Sequence, residues 1–180
     1  MGGVDKAWLT LAGKPLLAWV CGRISSQVDE IILSVNGEDE RYGRLGYPVV
    51  HDEFPGYAGP LAGLAAGMKQ ARHAQVLTVP CDTPLLPADL VTQLVAGWRA
   101  SDARMAVAKS GGRAHHAIMV CSRQLLSDLE AFLAGGGRKV AAWQAAHRAA
   151  YIEFGNAGAF RNLNTPADLA ELEALLGTAA

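Results

Sequence analysis

A carboxylate set between two prolines is the sharpest chemical feature of this sequence: Pro80-Cys81-Asp82-Thr83-Pro84. It closes an apolar run, Val76 to Val79, whose β-branched residues predict a strand buried on both faces. Asp82 then stands at the carboxyl end of a strand, where open α/β sheets bind ligands. A turn can also use such a residue simply as a cap. As a ligand, Asp82 is a hard oxygen donor suited to Mg2+, an ion that keeps several waters and is shared with nucleotide phosphates. Lys6 follows Gly2, Gly3, Val4 and Asp5. A lysine after a glycine turn is a point charge for a phosphate, with backbone amides to share the anion. The spacing is not that of a Walker A loop, and no complete Gly-x-Gly-x-x-Gly is present.

Other polar residues join the set. Asn36 and Asp52 each end a predicted strand, and Asn162 and Asn164 precede the last predicted helix. Singly, each reads as a turn or cap residue, Asn36-Gly37 above all. Together they gain meaning, because loops after parallel strands gather at one edge of a sheet. Asn164 is placed to add an amide oxygen beside Asp82. The histidines say less. His115 and His116 are neighbours on a strand and point to opposite faces, which disfavours a zinc pair and predicts one half-buried and one solvated ring. No Ser-His-Asp or Cys-His pairing has a local signature. Cys81 sits beside a carboxylate, which raises its pKa and disfavours a thiolate nucleophile.

Alternating elements must position these residues. A helix is predicted from Pro15, a strand over 30–35, a short polar helix over 39–45 and a strand over 48–52. A Gly- and Pro-rich loop, 53–60, leads to a helix over 61–72, whose Gly63 and Gly67 suggest close backbone packing. After Asp82 come a helix from Pro87 to Trp98, a strand pair over 105–108 and 115–120 turned by Gly111-Gly112, and a helix over 122–133 capped by Ser122. A short helix over 138–147, a strand over 149–154 and a last helix complete the order. Thr165, Pro166 and Asp168 form a capping box for that helix, with Leu169, Leu172, Leu175 and Leu176 on its apolar face. The pattern predicts an α/β fold, a mostly parallel sheet with helices on both faces, in a single domain over 1–180.

The totals bound the function. With 51% hydrophobic residues, the 180-residue chain can bury a proper core. A net charge of −1 from 16 basic and 17 acidic side chains gives no electrostatic case for nucleic acid or an anionic membrane. Three scattered cysteines fit reduced thiols in a cytoplasmic protein, and no run has transmembrane length.

Four segments occur in order: Met1 to Lys6; Asp52 with Gly59-Pro60-Leu61-Ala62-Gly63; Pro80 to Pro84; and Asn162-Leu163-Asn164-Thr165-Pro166. In this set the chain resembles the molybdenum cofactor guanylyltransferases, from Met1 to about Leu176. Arg113 to Val120 also resembles the family's segment around a histidine, with His116 where a proline is usual. The resemblance implies a Rossmann-like nucleotidyltransferase fold and transfer of GMP from GTP to the phosphate of molybdopterin, with Mg2+ as cofactor. It implies that Gly2, Gly3 and Lys6 belong to the loop around the phosphates, that Asn36 and Asp52 contact the nucleoside end, and that Asp82 holds Mg2+. Lys6, Asp82, Asn162 and Asn164 would be catalytic, the two asparagines on the molybdopterin side. Molybdoenzyme maturation proteins are implied as further partners. A cytidylyltransferase, another nucleotidyltransferase of this fold and a non-catalytic nucleotide-binding protein are the alternatives.

The family's pattern opens with a buried strand, Leu-Ala-Gly-Gly and an arginine, and this sequence starts after them. The resemblance implies that the strand is the central one of the sheet and that the loop amides cradle phosphates. Either the assigned start is an internal methionine, or the chain is shortened and binds GTP weakly. The intact remainder of the motifs favours the first.

Overall fold

The structure, a computed structural model, describes residues 5–37, 39–52 and 59–177. The chain begins with a 3-10 turn, Lys6–Trp8, and a two-strand hairpin of β1 (Thr10–Leu11) and β2 (Lys14–Pro15). Its bend uses the positive φ of Ala12 and Gly13. Helix α1 (Leu16–Ile24) follows, burying Leu16, Leu17, Val20 and Ile24 at helical spacing. Strand β3 (Leu33–Val35), helix α2 (Glu40–Gly43) and strand β4 (Val49–His51) form a unit in which β3 and β4 pair in parallel.

Helix α3 (Pro60–Gln70) opens with Pro60 in its first turn and leads to β5 (Gln75–Thr78). Then come α4 (Leu90–Arg99), β6 (Met105–Ser110), β7 (Arg113–Ser122), α5 (Leu126–Ala134), α6 (Val140–Ala146), β8 (Ala150–Phe154) and α7 (Pro166–Gly177). The four-stranded sheet has the order β5-β7-β6-β8. Only β7 runs against the others in it: β5–β7 and β6–β7 are antiparallel and β6–β8 is parallel. The β6–β7 turn is made by Gly111 and Gly112, both at positive φ.

Both faces of this sheet are covered. Met105, Val107, Met119 and Cys121 pack with α3, α5 and Trp143 of α6. Ala106, Ala108, Ile118 and Val120 point the other way, onto Leu90 and Leu94 of α4 and Val20 and Ile24 of α1. That alternation is the signature of strands buried on both faces.

Several expectations shift. The run Val76 to Val79 is half-buried rather than buried, because β5 pairs with β7 on one edge and its other edge faces a cleft. The strand predicted over 30–35 has ladder bonds only from Leu33, since Ile31 and Ile32 line the same cleft. Helix α4 starts three residues after Pro87, whose carbonyl is taken by Leu90 N–H and by the Gln27 side chain. Ser122 caps a 3-10 turn, Arg123–Leu125, through Gln124 N–H rather than α5 itself. Of the two glycines of α3, Gly63 is the one at a close approach: a Cβ there would lie 2.5 Å from Ser34 Oγ, whereas Gly67 meets nothing within 4 Å.

Candidate active site

The 3-10 turn that carries Lys6 is started by Asp5, whose Oδ1 accepts from Ala7 N–H at 3.1 Å. Ala7 is buried beside Leu33, Val35 and Tyr42, which anchors the turn against the end of β3. From there the Lys6 ammonium donates to Asp82 Oδ2 at 3.1 Å and to Asn164 Oδ1 at 2.6 Å.

Asp82 is 8% exposed, just past the carboxyl end of β5. Its backbone carbonyl accepts from Leu163 N–H at 2.9 Å, which ties the 162–164 loop to the β5 end. The two asparagines flank that tie. Asn164 meets Lys6, and Asn162 Oδ1 lies 3.4 Å from the hydroxyl of the fully buried Thr83. The loop is pinned from the other side by the capping box of α7. Asp168 N–H donates to Thr165 Oγ1, and Asp168 Oδ2 accepts from Thr165 and from Asn164 N–H. Those bonds, with Thr165 first, pull the Asp168 carboxyl down to about 2, and Arg161 adds to them.

Asn36 follows β3 and Asp52 follows β4, and the register pairs Val35 with His51, so the two residues leave the same end of adjacent strands. Asn36 and Asp82 line one cleft of about 900 Å3. The cleft runs between β3 and β5 and is floored by α3 at Gly63, Leu64 and Gly67. Its volume falls in the range of small-molecule sites. Thus Lys6, Asp82, Asn162 and Asn164 form one constellation, with Asn36 on the same cleft and Asp52 at the strand end beside it. Gly2 and Gly3 lie outside the described residues, as does the loop over 53–58.

Asp5, Tyr42 and Thr83 also belong to this region and were not singled out from sequence. Asp5 carried a usable signal, an aspartate at the start of a tight turn. Tyr42 and Thr83 carried none, since their partners are distant in the chain.

The residues present fit a divalent cation. Asp82 spends Oδ2 on Lys6, while its Oδ1 is buried with no hydrogen-bond partner. Such an orphaned carboxylate oxygen is costly unless something else meets it. Among the described residues no cluster of three His, Cys, Asp or Glu side chains exists to hold a metal alone. That suits an ion sharing one carboxylate with phosphate oxygens.

The remaining candidates are engaged elsewhere. His115 donates or accepts at Ser110 Oγ, 2.8 Å away, and stacks on Phe160. Burial, with Arg113 and His116 nearby, pushes its pKa down. One of the two rings was expected to be solvated and neither is: His116 is half-buried like His115, because its ring bonds the buried Gln144 at 2.6 Å. Cys81 is pushed up to about 11, by burial first and by the Asp82 charge second, so it is a thiol at neutral pH. No described helix is long and apolar enough to cross a membrane.

Residues 1–149 match the MobA-like NTP transferase domain. The chain is 45% identical over 179 residues to a molybdenum cofactor guanylyltransferase of Cereibacter sphaeroides, covering 98% of this chain and 90% of the relative. It is 41% identical over 167 residues to that of Shewanella loihica, covering 92% and 85%. The solved structure of molybdopterin-guanine dinucleotide biosynthesis protein A from Archaeoglobus fulgidus superposes with a TM-score of 0.79 over 98% of this chain and 92% of that one, at 18% identity, which establishes the shared fold. On these matches, the chain belongs to the MobA-like nucleotidyltransferases, in the family of the molybdenum cofactor guanylyltransferases.

Proposed function

We infer that this protein transfers GMP from GTP to the phosphate of molybdopterin and releases pyrophosphate. The observation that carries this reading is the single ammonium of Lys6 bridging Asp82 and Asn164 at the carboxyl end of β5, in a chain of this family.

In that reaction an oxygen of the molybdopterin phosphate bonds to the α-phosphorus of GTP. The bond from that phosphorus to the α–β bridging oxygen breaks, and its electron pair leaves with pyrophosphate. The nucleophile is already an anion, so no general base is needed. That fits histidines committed to packing and hydrogen bonds elsewhere. Lys6 supplies positive charge where negative charge grows, and Asp82 and Asn164 fix the direction of its ammonium. Asp82 would hold Mg2+ through Oδ1, and the bound ion would neutralise charge on the phosphates. Guanine presents two adjacent N–H donors that the Asp52 carboxylate can accept, with Asn36 beside it on the nucleoside. Asn162 is assigned to the molybdopterin side, and Gly2 and Gly3 to the loop around the phosphates. Uptake of the product by molybdoenzymes or their maturation proteins, and work in the cytoplasm, follow from the same reading.

The test is pyrophosphate release with molybdopterin, Mg2+ and either GTP or CTP. Release with GTP and not CTP is expected. A preference for CTP reassigns the base, and GTP binding without release makes the chain a binding module.

A further inference from the structure

The turn that carries Lys6 is braced by a side chain from another element. Asp5 uses both carboxylate oxygens: Oδ1 takes Ala7 N–H, and Oδ2 takes the hydroxyl of Tyr42 at 2.5 Å. Tyr42 stands on α2, the helix that follows β3 and Asn36, and is 7% exposed. Its ring also meets Trp8, the last residue of the turn, with centroids 5.0 Å apart and planes at 53°. The Arg41 guanidinium also lies over the Trp8 ring, 4.5 Å from its centre. Arg41 is itself fixed by a two-pronged pair with Asp39, at 2.6 and 3.0 Å. Trp8 Nε1 is buried without a hydrogen-bond partner, so packing against these neighbours is what places the indole.

Asp5, Ala7 and Trp8 are therefore all pinned on or beside Tyr42, and Ala7 and Tyr42 share one small core. Lys6 is the member of the turn whose side chain leaves in another direction, toward Asp82 and Asn164. We propose that Tyr42 is a positioning residue for Lys6, acting through the carboxylate of Asp5. The proposal rests on the role given to Lys6 above. A tyrosine suits the task. Burial and the Asp5 carboxylate push its pKa well above the usual value, so the phenol donates to Asp5 at every working pH. The brace also links two parts of the site. The same helix turn that holds the phosphate-facing lysine is the one that follows the nucleoside-facing Asn36.

The experiment is Tyr42→Phe, which removes the hydroxyl and keeps the ring against Trp8. With GTP, Mg2+ and molybdopterin, kcat for pyrophosphate release is expected to fall about ten- to a hundredfold, the cost of a modest misplacement, while KM for GTP moves far less. In a Lys6→Ala background the same substitution should cost nothing further, because a residue acting through Lys6 has no effect once Lys6 is gone. Full activity in Tyr42→Phe, or an equal fold-loss in both backgrounds, overturns the proposal. Full activity in Lys6→Ala overturns the assignment of Lys6 itself and the proposal with it. A second measurement needs no turnover. Lysines reductively methylated with 13C-formaldehyde give separate NMR signals, and the Lys6 signal is the one lost in Lys6→Ala. Tyr42→Phe should move it toward the signals of exposed lysines, and an unmoved signal overturns the brace.

Discussion

The Lys6 ammonium stands 3.1 Å from Asp82 Oδ2 across 76 residues of sequence, and 2.6 Å from Asn164 Oδ1 across 158. Three separate segments thus meet at one charge, and each is held there by local bonds of its own.

Replacing Asp82 by Asn keeps the shape and removes the charge. Pyrophosphate release should be abolished, and the Mg2+ dependence of GTP binding should be lost with it. The fold should survive, since the tie to Leu163 uses the Asp82 backbone carbonyl. Thermal melting and isothermal titration with and without Mg2+ check both halves. Release that persists in Asp82→Asn or Asp82→Ala removes the metal role from this residue.

Asp168 makes a pH prediction. Its carboxyl lies at about 2 instead of the usual 3.8, so the folded state favours the charged form. That stabilisation is complete above the ordinary value and is lost as pH falls through about 4 toward about 2. Asp168→Asn should melt below the parent at pH 7, and the two curves should converge at the acid end. A constant gap across that window would show that the capping box does not depend on charge.

Gly97 on α4 faces Ile152 on β8: a Cβ there would run into Ile152 Cδ1 and lie 2.8 Å from its Cγ1. Alanine gains about 1 kcal/mol of helix propensity over glycine. Overpacking costs about 1–3 kcal/mol. Gly97→Ala should therefore lower stability in urea titration, and the loss should shrink or reverse in an Ile152→Ala background.

The strand ends and the α7 cap were legible because their signals are short-range. Thr165, Pro166 and Asp168 sit within one helical turn, and the bonds they make are the ones the pattern predicts. The Pro80 to Pro84 segment was legible for the same reason, since proline fixes the backbone whatever lies nearby. The half-exposure of Val76 and Leu77 was not, because an apolar run states what a strand can bury and not how many neighbours it has. Nor was the hydrogen bond from Tyr42 to Asp5, which joins residues 37 apart and has no periodic trace. The alternation at Asn162 and Asn164 was seen as a pair. That one meets Lys6 and the other Thr83, with the Leu163 amide between them on the Asp82 carbonyl, is a set of contacts only the fold reveals.

The β3–β4 pair and the four-stranded sheet share no backbone ladder among the described residues, and side chains from α1 and α3 join them across the cleft. Cooperativity between the two parts therefore travels through side-chain contacts, apolar packing together with a few polar bonds such as Lys6 to Asp82 and Arg72 to Glu30. Under denaturant the smaller part, with Asn36, Asp52 and the Tyr42 brace, should open as a sub-global unit before the larger sheet gives way. The transition would then be broad and would differ between probes: Trp8, inside the smaller unit, reports the first step, and Trp143, in the core beneath the larger sheet, reports the last.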